Sequence, residues 1–590
     1  KSAMSANTNG RRNTALGHSA LVAYNHTTAT NAYNTAVGYN AGAAVTTGLV
    51  STFIGALAGD AITTANSNVA VGSSALSTET SGANCTAIGT NALATQNVAG
   101  GTNVANTAVG YDAGTAVTSG VQNTFVGGYA GDALTVGIRN TALGYQSLTT
   151  DTKGSRNTAI GTFSLFTQNF TTATDSQNTA VGYHAGASVT TGINNTLIGV
   201  ESGDALTDAD ENTAVGTFAL GVDTLGSRST AIGRGALANQ NFTTATDSNN
   251  TAVGYNSGAS VTTGVQNTFI GTQAGDGTDD GNNNVAVGYQ ALSANAGNAN
   301  TAVGANALQV TTGADNTALG QGAGYAVTSG SNNTLLGHDA GIAVTTGELN
   351  TFVGSLAGDA TDDGNNNTAV GFGTLSANCG NDNSAFGLGA LAVCTGADNT
   401  SLGSDAGAAL TSGSNCLFVG HDAGRTGSPG GNHTTSNNAL VLGDENIAAA
   451  HIQVDWTVAS DQRDKTDFTA LDVGLDFVNA LKPVTYKWDK RSKYGDKTAD
   501  DYDLDSITTD GTHKEDWLDI GFKAQEVEAL EKAAGYKIAD KTNLTTSLTG
   551  DGKQYGIQYA KFVPILVKAI QELTAANTAL AARIKTLEDA

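Results

Sequence analysis

Residues 34–42 read NTAVGYNAG, residues 106–114 NTAVGYDAG, residues 178–186 NTAVGYHAG and residues 250–258 NTAVGYNSG. These copies stand 72 residues apart. A shorter echo, Asn-Thr-Ala-Φ-Gly with Φ a large apolar residue, recurs from Asn13 to Gly443. From Gly17 through Gly38, Gly55, Gly72, Gly89, Gly110, Gly127, Gly144 and Gly161 to Gly182, its closing glycines step by 21, 17, 17, 17, 21, 17, 17, 17 and 21 residues. Beyond Gly271 the steps shorten to 16 or 17 as far as Gly420. A unit this short cannot bury an apolar face alone, but stacked units can. The period therefore predicts a mostly β protein, a parallel β-roll or β-solenoid of 25 rungs, each 16–21 residues, over residues 13–443. At about 4.8 Å per rung it would be a rod on the order of 120 Å long.

Each rung reads as a strand of about five residues, a corner, a second short strand such as Ala43-Ala44-Val45 and a return loop. Glycine and asparagine supply the left-handed backbone that tight corners need. Alternate residues of a strand share a face. The bulky residue before the glycine (Val37, Ile54, Val71) and the Thr two earlier (Thr35, Thr107), which Val69, Val285 or Leu417 replaces elsewhere, are expected inside the coil. The Ala, Phe or Leu between them (Phe53, Phe125, Leu197) is expected on the opposite face.

Composition agrees with a repetitive rod. Gly 76 with Pro 3 and 13% charged residues does not describe an ordinary globular enzyme, while 39% hydrophobic residues are too many for a disordered chain. A net charge of −25 argues against a nucleic-acid binder. No run of 18 apolar residues suggests membrane insertion. Nine of the 27 Lys and Arg lie in residues 1–459 and eighteen in 460–590, and Trp456, Trp488 and Trp517 all lie at or beyond that boundary. Residues 1–12 thus precede the roll, 444–459 connect, and a different module begins at 460.

That module has ordinary globular patterning. Leu471, Val473, Leu475, Phe477, Val478 and Leu481 fall mostly at helical spacing, and Pro483 then breaks into the strand-like Val484–Trp488. Residues 519–533, DIGFKAQEVEALEKA, read as a strand end followed by a helix. From 557 to the end, Val563, Leu566, Ile570, Leu573, Asn577, Leu580, Ile584 and Leu587 follow a 3-4 heptad, a coiled-coil helix with Asn577 fixing register. Ile at a with Leu at d leans toward two strands, against the trimer the neighbouring domains suggest.

Two resemblances follow. The rungs NTAVGYNAG and NTAIGTFSL are similar to the head repeats of trimeric autotransporter adhesins, which implies a trimer of parallel rolls. The segments SDQRDKTDF (460–468), GLDFVNALKPVTYKW (474–488), GFKAQEVEAL (521–530) and YAKFVPILVKAIQEL (559–573) resemble, in order, the intramolecular chaperone domain of phage tail proteins, the S74 peptidase family. The resemblance implies a phage tail fibre, assembled as a homotrimer in the host cytoplasm and carried on the virion. Its chaperone domain, 460–556, would cut itself off at Ala459–Ser460, with Ser460 as nucleophile and Lys465 as base. It further implies a host-surface glycan or protein as receptor, and contacts to other tail proteins through a region preceding Lys1.

Bottom-up, a serine hydroxyl needs a base, and lysine serves only when deprotonated. An ordinary lysine titrates near 10.4, so burial must lower it. Asp461, Asp464 and Asp467 would oppose this until assembly buries Lys465 away from them.

Candidate receptor residues are Phe170 and Phe242, in the long loops 168–177 and 240–249, and Arg425 and His433, in the irregular loop 421–438. The phenylalanines would suit sugar stacking, or else plug adjacent rungs; the irregular loop is a receptor tip or the transition out of the roll. No cofactor or metal is expected. TDDGNNN at 278–284 and 361–367 holds few acids for calcium, and asparagine turns fit better. Cys85, Cys379, Cys394 and Cys416 lack zinc spacing; Cys379 and Cys394, about one rung apart, pair or remain buried thiols. A polysaccharide depolymerase would need converging carboxylates, and a bacterial trimeric adhesin a terminal β-barrel. Neither pattern is visible, and no enzyme activity on the host is expected.

Overall fold

The computed structural model describes residues 2–100, 103–454, 456–495 and 502–590. The chain divides into two compact units, residues 1–338 and 339–590. Both carry a parallel β-solenoid, of about 24 turns in all. Its three-residue strands run from Thr14–Leu16 to Thr334–Leu336 in the first unit and from Thr351–Val353 to Leu440–Leu442 in the second. Register is strict: Thr35 pairs with Thr52, Ala36 with Phe53 and Val37 with Ile54, so each motif position stacks on its own equivalent.

The faces of the strand are the reverse of the expectation. The middle residue, Ala36, Phe53, Ala70 or Ala87, is fully buried inside the coil. The Thr and the bulky aliphatic flanking it point outward; Ile54 is 40% exposed. The cause is the width of the coil. A turn of 17 residues leaves room for Ala at the middle position, and for Phe only where neighbouring side chains are missing. A Cβ on Gly42 would stand 2.8 Å from the Phe53 ring, and one on Gly59 2.5 Å. Tolerance of Val at the Thr position reflects a β-branched residue's fit to a pleated outer surface, not burial.

The motif asparagine is also not a corner. Asn195 is buried; its Nδ2 donates to Ala209 O at 2.8 Å, and its Oδ1 accepts from Asn212 N at 3.0 Å. Asn212 repeats this with Gly226 O at 2.9 Å and Ser229 N at 2.8 Å. Where this position holds asparagine, it staples one turn to the next, at about 1 kcal/mol net per hydrogen bond and more if a buried partner is stranded. Left-handed backbone falls elsewhere, on residues such as Asn40 and Asn84 and on the motif glycines. Ala43 and Ala44 lie in a turn that buries Val45, so the expected second strand is absent. The wider turns instead add short outer ladders, Gly154–Ser155 with Thr174–Asp175 and Gly226–Ser227 with Thr246–Asp247.

The second unit ends in a small α+β module. Its helices are α1 (Leu475–Ala480), α2 (Ala524–Ala533) and α3 (Phe562–Glu588). Val484–Tyr486 pairs antiparallel with Asp519–Gly521, and Thr546–Leu548 with Tyr555–Ile557. Val473, Phe477, Val527, Phe562 and Ile565 form the core. Two buried or bridging carboxylates tie the elements together. Glu572 on α3 accepts from Leu475 N at 2.7 Å, satisfying a free N–H at the start of α1, whose own N-cap is Gly474. Glu531 on α2 accepts from the amides and hydroxyls of Thr545 and Thr546. Desolvation opposes its charge, but these four donors outweigh it and hold the carboxyl below its usual range. Helix α3 buries Phe562, Ile565 and Ala569, whereas the heptad residues Val563, Leu566, Ile570, Leu573, Leu580, Ile584 and Leu587 are exposed in the single chain.

Candidate functional site

Ser460 and Lys465 are brought together by one 3-10 turn, Gln462–Asp464. Asp461 opens the turn by accepting from Arg463 N at 2.9 Å, and the Arg463 guanidinium closes on the same carboxylate, with Nη2–Oδ2 at 2.6 Å. The Arg463 side chain holds the Asp461 carboxyl below its usual range. The turn carries Lys465 back over Ser460, Nζ lying 2.5 Å from Oγ and 3.4 Å from the carbonyl oxygen. Asp461, expected to compete for Lys465, is therefore engaged by Arg463 instead. Ser460 and Lys465 are both exposed in the single chain. The geometry is that of a nucleophile and a base within hydrogen-bond reach.

The module also contacts the end of the solenoid. Lys490 Nζ donates to Glu445 O at 2.7 Å and Asn432 N donates to Asp551 Oδ2 at 3.3 Å, while Arg491 Nη2 donates to Lys553 O at 2.7 Å within the module. A cleft of about 870 Å³ lies beside these contacts, lined by Tyr486, Trp488, Phe522, Tyr555 and Tyr559. Loop 421–438 thus touches the module through Asn432. Arg425 pairs with Asp422 at 2.7 Å and Asp405 at 3.7 Å. His433 contacts Ser436 Oγ at 3.0 Å and meets the Phe418 ring edge-on, and burial pushes its imidazole down. Asp405, His421 and Asp422 lie close enough to suggest a cation, but Arg425 already sits on both carboxylates.

Phe170 and Phe242 are 6% and 5% exposed and offer no ring face to a sugar. They close the wide turns over a buried acid that residue-by-residue reading missed. Asp151 accepts from Gly154 N at 2.9 Å and from Gln168 Nε2 at 2.6 Å, and Asp223 accepts from Phe242 N at 3.1 Å and from Gln240 Nε2 at 2.5 Å. Glu79 and Gln96 form the same pair at 3.0 Å. The signal was present as an acid 17 residues before a glutamine, repeated at 72. A second missed feature is a column of rings on successive turns, Tyr111, Tyr129, Tyr145, Phe163 and Tyr183, edge to face at 5.3, 6.1, 5.8 and 6.4 Å. All four cysteines are free and buried; burial pushes the Cys394 thiol up to about 11.

Burial raises the carboxyls of Asp151 and Asp223, with the glutamine bonds opposing. A folded-state pKa above the unfolded one means stability that is complete below the ordinary carboxylate value and declines as pH rises through the folded value. Asp151→Asn removes that dependence. In thermal melts the wild type should therefore gain on Asp151→Asn as pH is lowered from neutral toward 4; a difference that stays flat or widens the other way would contradict the assignment.

Residues 460–536 match the family model described as chaperone of endosialidase, the S74 peptidases. No curated protein matches the chain.

Proposed function

We propose that the chain is the body and maturation module of a phage tail fibre that assembles as a homotrimer, binds a host surface, and releases its C-terminal chaperone by self-cleavage at Ala459–Ser460. The observation that carries the cleavage is the 2.5 Å approach of Lys465 Nζ to Ser460 Oγ, at the first residues of the chaperone match. A solenoid followed by such a domain supports the fibre. The outward rows of Ile54, Ile88, Ile198, Ile232 and Ile270, exposed in one chain, support side-by-side association of copies. That face is the one expected from sequence to lie inside the coil.

Ser460 lies on the amine side of the bond it would break. Its Oγ attacks the Ala459 carbonyl carbon while neutral Lys465 takes the hydroxyl proton. Collapse of the adduct transfers the acyl group from nitrogen to oxygen, and Lys465 returns the proton to the freed Ser460 amine. Water then hydrolyses the ester, leaving the Ala459 carboxylate on the rod. Lysine acts here only when neutral, which burial favours. Both residues are exposed in one chain, so assembly would supply that burial and delay the cut until the rod has formed.

A denaturing gel of the full chain tests this. Wild type should release a 131-residue fragment, 460–590, while Ser460→Ala and Lys465→Ala remain at full length. Full-length chains in all three lanes would leave a chaperone without a protease.

A further inference from the structure

The last solenoid strand, Leu440–Leu442, and Ser460 are joined by residues 443–459. Ala448–Val454 and Trp456–Ala459 form no helix or strand and make no hydrogen bond among the described residues. Yet Ile452, Val454, Trp456 and Val458 alternate with Gln453, Asp455 and Thr457, the period of a strand with one apolar face. All four apolar side chains are exposed, Trp456 at 68% and Val458 at 81%. Strand periodicity, an apolar face and unbonded amides together describe a strand lacking its neighbour.

We infer that this segment is an assembly strand, pairing in register with the same segment of a second copy of the chain and thereby setting the Ala459–Ser460 peptide against Lys465. The coupling to cleavage rests on the self-cleaving reading above. Three observations favour a second copy as the occupant. In a chain of net charge −25, residues 446–459 hold one carboxylate, Asp455, and one histidine, His451, so identical segments approach with little repulsion. Exposed apolar residues also precede the segment in the chain, at Leu440, Leu442 and Ile447. Strands of the solenoid already pair like with like, as Thr35 with Thr52 and Leu417 with Leu440, and in-register association extends that pattern across copies.

The consequence for chemistry is positional. Val458 is two residues from Ser460, and a paired backbone up to Ala459 loses the freedom that keeps an exposed peptide out of line with a nucleophile. Ile452, Val454, Trp456 and Val458 touch no reacting atom and act as positioning residues.

Hydrogen exchange on the assembled full-length Ser460→Ala chain tests the pairing without any change in the strand. The amides of Ile452, Val454, Trp456 and Val458 should exchange at least 100-fold more slowly than an unstructured peptide; free exchange in the assembled protein overturns the inference. Val454→Asp with Val458→Asp, checked by sedimentation to be assembled, should slow release of the C-terminal fragment at least tenfold, and wild-type release overturns the coupling. If wild type never cleaves, the protease reading falls, while the exchange pattern still decides the strand.

Discussion

Gly216→Ala is expected to cost more than about 3 kcal/mol and to melt the turns around it. Gly216 has φ +137, a region open to glycine and strained for any L side chain. Its Cβ would also stand 2.5 Å from the carbonyl oxygen of Gly233, the equivalent residue one turn on, with Arg234 N at 3.0 Å. Both obstacles are backbone, so neither can rotate aside. The glycine is needed because successive turns are packed backbone against backbone at this corner. Gly128→Ala is the control. It lies in the same kind of corner, but its Cβ would meet the Tyr145 ring at 3.6 Å, an ordinary contact, and should change stability by less than about 0.5 kcal/mol. Thermal unfolding followed by circular dichroism separates the two; equal melting temperatures would refute the stacking argument. Because a repeat array couples nearest neighbours, the damage should be local, with distant turns retaining slow amide exchange.

The second large effect concerns α3. Ile570→Asp with Leu573→Asp should convert the assembled protein to single chains by sedimentation or light scattering, and the single chains should remain uncut. Both side chains are exposed in one chain, while Phe562, Ile565 and Ala569 on another side of the same helix are buried in the module core. The substitutions therefore spare the fold of the chain and strike only what lies against the heptad seam. Burying a Leu or Ile side chain is worth about 1.5–3 kcal/mol, and every copy contributes, so two acids in the seam remove several kcal/mol of association. Gln571→Asp, one residue along on the exposed surface, adds one such charge off the seam and should leave the mass unchanged. An unaltered mass in the double variant would exclude α3 as an association element. The mass of the wild type also decides between the dimer that Ile at a and Leu at d favour and the trimer proposed for the rod.

Several local expectations failed in one direction. Thr35-Ala36-Val37 presents two residues on one face and one on the other, and apolarity suggested that the two belonged inside. The coil is too narrow for them, and Ala, or Phe flanked by Gly42 and Gly59, fills it. Asn195 looks like a turn residue until Ala209 O and Asn212 N, 14 and 17 residues away, are brought to its amide. Phe170 and Phe242 look like loop aromatics until Asp151, Gln168, Asp223 and Gln240 are seen beneath them. At the turn after Ser460 the proximity of Asp461 to Lys465 in sequence suggested competition for the lysine, but the 3-10 turn hands that carboxylate to Arg463. The helices and strands of the C-terminal module, by contrast, lie close to where their periodicity put them, with α3 starting at Phe562.

What the sequence determined by itself is everything that depends on period. The 17-residue step and its 72-residue super-repeat dictate parallel stacking and the number of turns. The loss of that period after Gly443 marks the end of the solenoid, and the spacing of Ser460 and Lys465 permits one turn to join them. What only the tertiary structure decided is which side of each strand is inside, which polar groups are buried together, and which apolar rows are left without a partner. The reason is physical. Period is a property of one chain and is written along it, whereas inside and outside depend on the direction in which each glycine corner bends and on the width of the coil that results. Those quantities arise only when turn is laid on turn, and they leave Ile54 outside, Asn195 inside and Trp456 exposed.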